Sequence, residues 1–368
     1  MREGQRTAGP ALEIFLWSRL AVWAVALGTL LLFESSLDPE RVRWDSDRLH
    51  ELGALVDVWA RWDSDWYLRI AEDGYSWPSS TPAFFPLYPL LVGALGRLLL
   101  GHYVLAGVLV SLATGAAAFV LLYRLALPRL GAAGARRAAL YLALFPTSLF
   151  LGAVYSESLF LLLALASFLL AERGRFATAG AAAGLALLTR PAGIALVPAV
   201  ALFAWRAQDR RRAFAGVALA PLLFCLYPLA LWLWLGKPLA FLDAQEVVWR
   251  RRISPAGPLG GLWDAVDRGA LLDLAFTLAL VALSVVAWRR FGAPYGAYAL
   301  TSLALPLSAP SDKLALLSMT RFGLVVFPAV MALAAAGARR SVHVAIVVVF
   351  AAWLGVLVVK WALWQWVA

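Results

Sequence analysis

Apolar runs long enough, or nearly long enough, to cross a lipid bilayer recur along this chain, and they leave few architectures open. They lie near residues 12–33, 103–125, 137–154, 157–172, 176–189, 191–205, 213–235, 270–288, 293–309, 319–337 and 341–364, and a further stretch at 84–100 is interrupted by Pro86 and Pro89. Lipid offers no water to unpaired backbone groups, so such runs fold as helices; a barrel would show short segments of alternating polarity. Of the 368 residues, 62% are hydrophobic and 15% charged, against about a quarter charged in ordinary soluble chains. Soluble globular, disordered and collagen-like classes are excluded. The expected fold class is an all-α polytopic membrane protein. No linker, charge block or internal repeat divides residues 1–368, so they read as a single integral-membrane domain.

Arginines set the expected sides. They cluster at Arg2/Arg6, Arg124/Arg129/Arg136/Arg137, Arg173/Arg175, Arg206/Arg210/Arg211/Arg212, Arg289/Arg290 and Arg339/Arg340. The positive-inside rule places all of these in the cytoplasm only if 84–100 does not cross, which gives eleven spans. Residues 84–100 then form a kinked, half-embedded helix on the outer side. The run 12–33 is too long for a signal-peptide core and reads as a retained first span, with the N-terminus cytoplasmic. External loop one covers about 34–83, with eleven acids from Glu34 to Asp73, and a second external loop covers about 236–269. The net charge of +10 thus reports inner-leaflet contact in a plasma membrane rather than nucleic acid. One cysteine, Cys225, makes a disulfide framework impossible, and three dispersed histidines argue against a multi-histidine metal site.

Chemistry concentrates in Arg61-Trp62-Asp63-Ser64-Asp65-Trp66-Tyr67-Leu68-Arg69-Ile70-Ala71-Glu72-Asp73-Gly74-Tyr75. As one helix, this stretch puts Trp62, Trp66, Arg69 and Asp73 on one face and Asp63, Tyr67 and Ile70 on the next. Its aromatics suit the headgroup level. Asp63 and Asp65, two apart, face away from each other; one is free for catalysis and the other for loop or solvent, and an interfacial helix with ordinary surface acids fits the same residues. Ala83-Phe84-Phe85-Pro86-Leu87-Tyr88-Pro89 cannot be regular helix throughout. It reads either as a cavity wall or as a simple kinked re-entry. Three further places put charge at membrane depth: Tyr155-Ser156-Glu157-Ser158, Thr189-Arg190-Pro191 and Thr320-Arg321-Phe322. Such residues are costly and often functional. Structural pairing, for example Glu157 with Arg190, and snorkelling of Arg321 are the plain alternatives. The second loop adds Gln245, Trp249, Arg250, Arg251 and Arg252, a basic group outside the membrane that suits either a substrate phosphate or anionic headgroups.

Trp62-Asp63, Ile70-Ala71-Glu72-x-Gly74-Tyr75 and Ala83 to Pro89, followed in order by Tyr155 to Ser158, Thr189-Arg190-Pro191, Arg321-Phe322 and Phe327-Pro328, resemble the GPI mannosyltransferase II family and its bacterial relatives. The resemblance runs from about residue 60 to about 330. It implies a GT-C-type bundle of about eleven transmembrane helices with amphipathic helices in the first external loop. The implied chemistry is an inverting transfer of mannose from a polyprenyl-phosphate-mannose donor to a lipid- or glycan-linked acceptor at the outer face. Asp63 takes the place of the superfamily's loop acid and acts as general base. Asp65 and Glu157 accompany it, and Arg190, Arg321, Arg250 and Arg251 are candidates for the donor phosphate. Trp62, Tyr67, Tyr88, Gln245 and Trp249 are candidate substrate contacts. No cofactor is implied; a divalent metal on Asp63, Asp65 or Glu157 is compatible with the sequence but not required by it. The rival reading is a lipid-linked sugar flippase, which would favour inverted repeats and mid-membrane charge.

Overall fold

A computed structural model describes residues 3–33 and 36–367; Arg2 and Glu34 lie outside the described residues. The described chain is helical with no strand, apart from one isolated antiparallel bridge between Arg251 and Ser311. Among the described residues, five helices have the length and composition to cross a membrane: Gly9–Phe33, Tyr103–Ala143, Arg210–Leu235, Leu271–Phe291 and Arg340–Ala362. The remaining apolar helices, among them Leu87–Leu98, Phe176–Leu187 and Phe327–Ala336, are shorter. The chain divides into two compact units. One gathers the described parts of Met1–Gly74, Leu87–Leu162 and Leu333–Val367; the other gathers Tyr75–Pro86 and Leu163–Ala332.

In the first unit the helix Glu3–Phe33 packs against both Tyr103–Ala143 and Arg340–Ala362. Arg19 interrupts its apolar sequence for a visible reason. The guanidinium, 3% exposed, donates to the Ser148 carbonyl at 2.5 Å and the Ala143 carbonyl at 3.3 Å. It thereby adds a donor to the carbonyl that ends the neighbouring helix, where Ser148 Oγ also donates, and one to the 3₁₀ turn that follows. The element Tyr103–Ala143 is two helices joined at Gly131, whose φ of 66° and ψ of 176° are open to glycine. The run expected as helix near 137–154 is helical only to Ala143. Phe145-Pro146 then ends it, and a 3₁₀ turn, Ser148–Leu151, follows, because a proline biases its predecessor out of the helical region.

The stretch expected as one helix from Arg61 also starts later. Trp62 has φ 55°, Asp63 occupies the position before the first turn, and the helix is Ser64–Asp73. Trp62 therefore shares no helical face with Trp66, Arg69 and Asp73. Ser64, Tyr67, Leu68, Ile70 and Ala71 form the buried side, which lies on Leu87–Leu98. At the crossing a side chain on Gly93 would come within 2.8 Å of the Ala71 carbonyl, so glycine permits the approach. The prolines of the 84–100 stretch introduce no kink. Phe84 is extended, Pro86 precedes the helix Leu87–Leu98 and Pro89 sits in its first turn, where a missing N–H is tolerated. Twelve residues rise about 18 Å at about 1.5 Å each, short of a bilayer core of about 30 Å.

The second unit carries Phe176–Leu187, Leu196–Ala204, the segment Arg210–Leu235, and the antiparallel neighbours Leu271–Phe291 and Ala293–Leu307. The Thr189-Arg190-Pro191 break is realised as expected from the proline. Arg190 is extended, and the 3₁₀ turn Pro191–Ala195 separates two short helices. Phe176–Leu187 and Arg210–Val217 meet at glycines so closely that a Cβ on Gly180 would lie 1.9 Å from the Gly216 carbonyl, the small-residue contact typical of helices in lipid. Loop two is built from the helices Ala240–Trp249 and Pro258–Asp267.

Candidate active site

In the first unit, polar side chains converge behind the start of Ser64–Asp73. Asp63 is 6% exposed. Aspartate before a helix ordinarily accepts from the first-turn N–H groups, but Asp63 is in the right-handed helical region and makes no such bond. Its carboxylate is thus not consumed in capping. Its backbone N–H donates to the Tyr155 hydroxyl at 3.1 Å, and that hydroxyl donates to the Arg61 carbonyl at 3.2 Å. The Arg61 N–H is taken by Ser64 Oγ at 3.1 Å. These bonds fix the backbone on both sides of Trp62 against the turn that precedes helix Glu157–Glu172. Tyr67 shares a hydrogen bond with Ser156 Oγ at 2.8 Å, and its ring lies edge-on to Tyr88 with centroids 5.0 Å apart. Tyr88 reaches Ser111 Oγ at 2.9 Å and donates to the Gly107 carbonyl at 3.1 Å. Glu157, fully buried, opens its helix, the end at which a carboxylate is favoured by the helix dipole.

Asp65 points elsewhere, as the two-residue spacing requires. It accepts from Ser46 Oγ at 2.7 Å and pairs with Arg69 at 3.1 Å, one helical turn on. Glu72 is ion-paired with Arg48, which also holds Asp73 at 3.0 Å. Burial raises the Glu72 carboxyl above its ordinary range, and Arg48 opposes the shift. These acids tie loop one to its helix.

Arg61 and Tyr155, read from the sequence only as members of their motifs, and the C-terminal tryptophans were not among the candidate site residues. Trp62 is ringed by Trp44, Trp364 and Trp366, with centroids 6.0, 5.6 and 5.4 Å away. The Arg61 guanidinium stands over Trp364 at 4.3 Å. Burial lowers its pKa to about 10; Asp45 and Asp57 oppose that shift and Arg41 adds to it. Three tryptophans in the last eight residues were the available signal.

The second unit gathers cations. Arg190, Arg251 and Arg321 each stand 5.7 Å from the centroid of Phe322. Arg251 also donates to the carbonyls of Ala309 at 3.0 Å and Leu317 at 2.9 Å. Burial, then the neighbouring Arg321, brings its pKa down to about 10. Phe322 is the hub that sequence reasoning missed. Arg250 and Arg252 do not share in this cluster. Arg250 is exposed, turning the chain at φ 47°, and Arg252 is exposed, at 3.9 Å from Glu246. Gln245 contributes its carbonyl to the Arg251 N–H at 3.3 Å. Trp249 lies 6.4 Å from Phe84 by ring centroids and under Lys313 at 5.3 Å. Phe85 is packed among Phe224, Tyr227 and Phe241, while Tyr75 and Tyr227 donate to the carbonyls of Phe84 and Pro82, both at 2.7 Å. Among the described residues no three histidine, cysteine, aspartate or glutamate side chains gather as a metal site would need.

A sequence profile of the mannosyltransferase (PIG-V) family matches residues 47–249. GPI alpha-1,6-mannosyltransferase 2 from Rattus norvegicus is 35% identical over 160 residues, which cover 39% of this chain and 31% of the rat protein. The crystal structure of ArnT from Cupriavidus metallidurans bound to undecaprenyl phosphate superposes with a TM-score of 0.53 at 17% identity, over 88% of this chain and 59% of ArnT. The matches thus span about a third of the rat relative and about three fifths of ArnT. The likeness to ArnT is one of fold.

Proposed function

Because the chain belongs to the mannosyltransferase (PIG-V) family, we propose that it is an inverting mannosyltransferase that uses a polyprenyl-phosphate-mannose donor at the outer face of the plasma membrane. The acceptor is a hydroxyl on a lipid- or glycan-linked sugar. The observation that carries this reading is Asp63: buried, inside the family-matched segment, and not spent on capping the helix it precedes.

In this reading the acceptor oxygen bonds to the anomeric carbon as the bond from that carbon to the phosphate oxygen breaks. The acceptor proton passes to Asp63, and the bonding pair leaves with the polyprenyl phosphate. A phosphate with its second pKa near about 6 departs without a protonated acid, so one carboxylate suffices. The developing negative charge calls for fixed cations in a dry site, and Arg190, Arg251 and Arg321 are the group with that chemistry. Glu157 orients the acceptor or tunes the base. ArnT, with its undecaprenyl phosphate, lends support to a prenyl carrier for this chain. The short helix Leu87–Leu98 supports the odd number of crossings that keeps the arginine clusters and the N-terminus cytoplasmic.

The test is Asp63→Asn in membranes supplied with labelled prenyl-phosphate mannose. Transfer should fall roughly 10²–10⁴-fold at unchanged expression. Undiminished transfer removes Asp63 from the role, and label that changes leaflet without joining an acceptor identifies a flippase.

A further inference from the structure

Two helix connections in the second unit carry positive charge that the proposed transfer chemistry does not use. Arg173 and Arg175 precede Phe176–Leu187; Arg206 follows Leu196–Ala204, and Arg210, Arg211 and Arg212 open the segment Arg210–Leu235. Ala171, Ala179, Ala204 and Ala213 belong to one buried apolar cluster, so the two connections lie side by side. All six arginines are exposed, and among the described residues none of them is in an ion pair. Only two acids occur between residues 171 and 213, and both have other partners. Asp209 accepts the Arg212 backbone N–H at 3.0 Å, and Glu172 accepts the Tyr295 hydroxyl at 2.5 Å. Like charges gathered without counter-charges repel one another, and guanidinium forks fit phosphate oxygens.

The backbone adds to this charge. A Cβ on Gly216 would meet the Phe176 backbone at 2.5 Å, and one on Gly184 would meet the Ala220 backbone at 3.2 Å. The contacts advance together along both helices, which therefore run parallel and begin at the same end, their first-turn N–H groups facing one side. Depth identifies the anion they meet. The 26 residues of Arg210–Leu235 rise about 39 Å at about 1.5 Å each, more than a bilayer core of about 30 Å, so the arginines that open this segment stand at headgroup level when it crosses. Trp205, 61% exposed, and the exposed Phe214 flank them, and the Arg210 guanidinium lies 5.1 Å from the Trp205 ring centroid. Exposed aromatics beside arginines suit the same layer.

We propose that this end of the second unit binds a phospholipid whose headgroup carries two phosphates, as in a cardiolipin. One phosphate lies on Arg173 and Arg175 at the start of Phe176–Leu187, and the other on Arg210, Arg211 and Arg212 at the start of the neighbouring segment, with Trp205 against the glycerol. Two arginine sets on two adjacent, parallel helix starts are what call for two phosphates on one molecule. The site stands apart from the transfer reading and holds for whichever leaflet this end faces.

The full chain in a neutral detergent is titrated, with native mass spectrometry as the readout, with tetraoleoyl cardiolipin, dioleoylphosphatidylglycerol, dioleoylphosphatidylcholine and sodium pyrophosphate. One cardiolipin should be retained, roughly tenfold or more tighter than phosphatidylglycerol, while phosphatidylcholine and pyrophosphate leave no adduct. The double variants Arg173→Gln/Arg175→Gln and Arg211→Gln/Arg212→Gln should each weaken cardiolipin roughly tenfold and bring it to the level of phosphatidylglycerol. Arg211→Lys/Arg212→Lys, which keeps the charge and loses the fork, should retain part of the affinity. Arg289→Gln/Arg290→Gln removes the same charge from another exposed pair of this unit and should stay within about twofold of wild type. Because the substituted side chains are exposed and unpaired, the lipid-free melting temperatures should match the wild type, so a loss of binding is not a loss of fold. Equal affinity for cardiolipin and phosphatidylglycerol, an equal loss in Arg289→Gln/Arg290→Gln, a pyrophosphate adduct as tight as the lipid, or binding indifferent to both glutamine pairs that replace residues 173/175 and 211/212 each overturns the site. No turnover enters the readout, so this site and the transfer reading fail separately: a transferase without selective cardiolipin binding loses only the site, and selective binding without mannose transfer leaves the site standing and removes the transfer reading.

Discussion

The phenolic oxygen of Tyr155 accepts the backbone N–H of Asp63 at 3.1 Å, across more than ninety residues of sequence and from the turn before helix Glu157–Glu172. Tyr155→Phe keeps the ring against Phe150 and Trp361, at 4.7 and 5.8 Å, and deletes only the oxygen. It leaves a buried N–H without that acceptor, at a cost of roughly 1–3 kcal/mol. The variant should fold with a lowered melting temperature and should lose turnover roughly tenfold, the scale of a slightly misplaced catalytic group. Donor KM should stay unchanged. Thermal unfolding and initial rates with labelled donor check both parts; unchanged turnover would show that this bond does not position Asp63.

Asp63 and Asp65 should separate cleanly. Asp65 is bonded to Ser46 and paired with the partly exposed Arg69, so Asp65→Asn should cost less than about 1 kcal/mol, in the range of exposed ion pairs. Its rate should stay within about twofold, where Asp63→Asn loses at least about a hundredfold. Steady-state kinetics on both variants at matched expression decides it. Equal losses would mean that the two carboxylates act as a pair.

The apolar runs made the fold class legible, because only helices satisfy the backbone in lipid. Pro191 marked where one helix ends and the next begins, whereas Pro146 lay unread inside the expected run 137–154. The family block pointed to the segment around Asp63. What stayed hidden depends on distance in sequence. Arg19 looked like an intruder in an apolar run until Ala143 and Ser148 supplied its acceptors. Trp364 gained meaning once it lay under Arg61. Phe322 was visible in sequence only as the neighbour of Arg321, yet it seats three arginines from segments more than sixty residues apart. A periodicity argument also overran at Trp62, because nothing in the pattern announces a left-handed residue at that point.

That left-handed residue makes a stability prediction with an unusual sign. Trp62 holds φ 55°, which costs a non-glycine residue roughly 1–2 kcal/mol. Both Trp62→Gly and Trp62→Ala lose the indole contacts, but only glycine relieves the backbone. Trp62→Gly should therefore be the more stable of the two by about 1 kcal/mol, the reverse of the order expected inside a helix. Thermal melts of the two variants in one detergent check it. Alanine above glycine would place residue 62 in the helix after all.

Arg190, Arg251 and Arg321 around Phe322 predict opposite responses of stability and anion affinity to pH. Burial and Arg321 hold Arg251 at about 10, below the ordinary arginine value. Above about 10 the folded chain therefore binds fewer protons than the unfolded chain. Stability rises with pH wherever the unfolded state holds more protons, so this group contributes increasing stability from about pH 10 up to its ordinary pKa. An oxyanion needs the charged form, so affinity for prenyl phosphate should be flat near neutrality and fall as the pH passes about 10. Arg321→Gln removes a repelling neighbour as well as a ligand. It should move that fall to higher pH while weakening binding at pH 7 roughly tenfold, the loss of one charge-assisted contact. Binding titrations of undecaprenyl phosphate from pH 7 to about 10.5 read both effects. An affinity that does not change through this window, or an Arg321→Gln variant that binds like wild type, would place the phosphate away from Phe322.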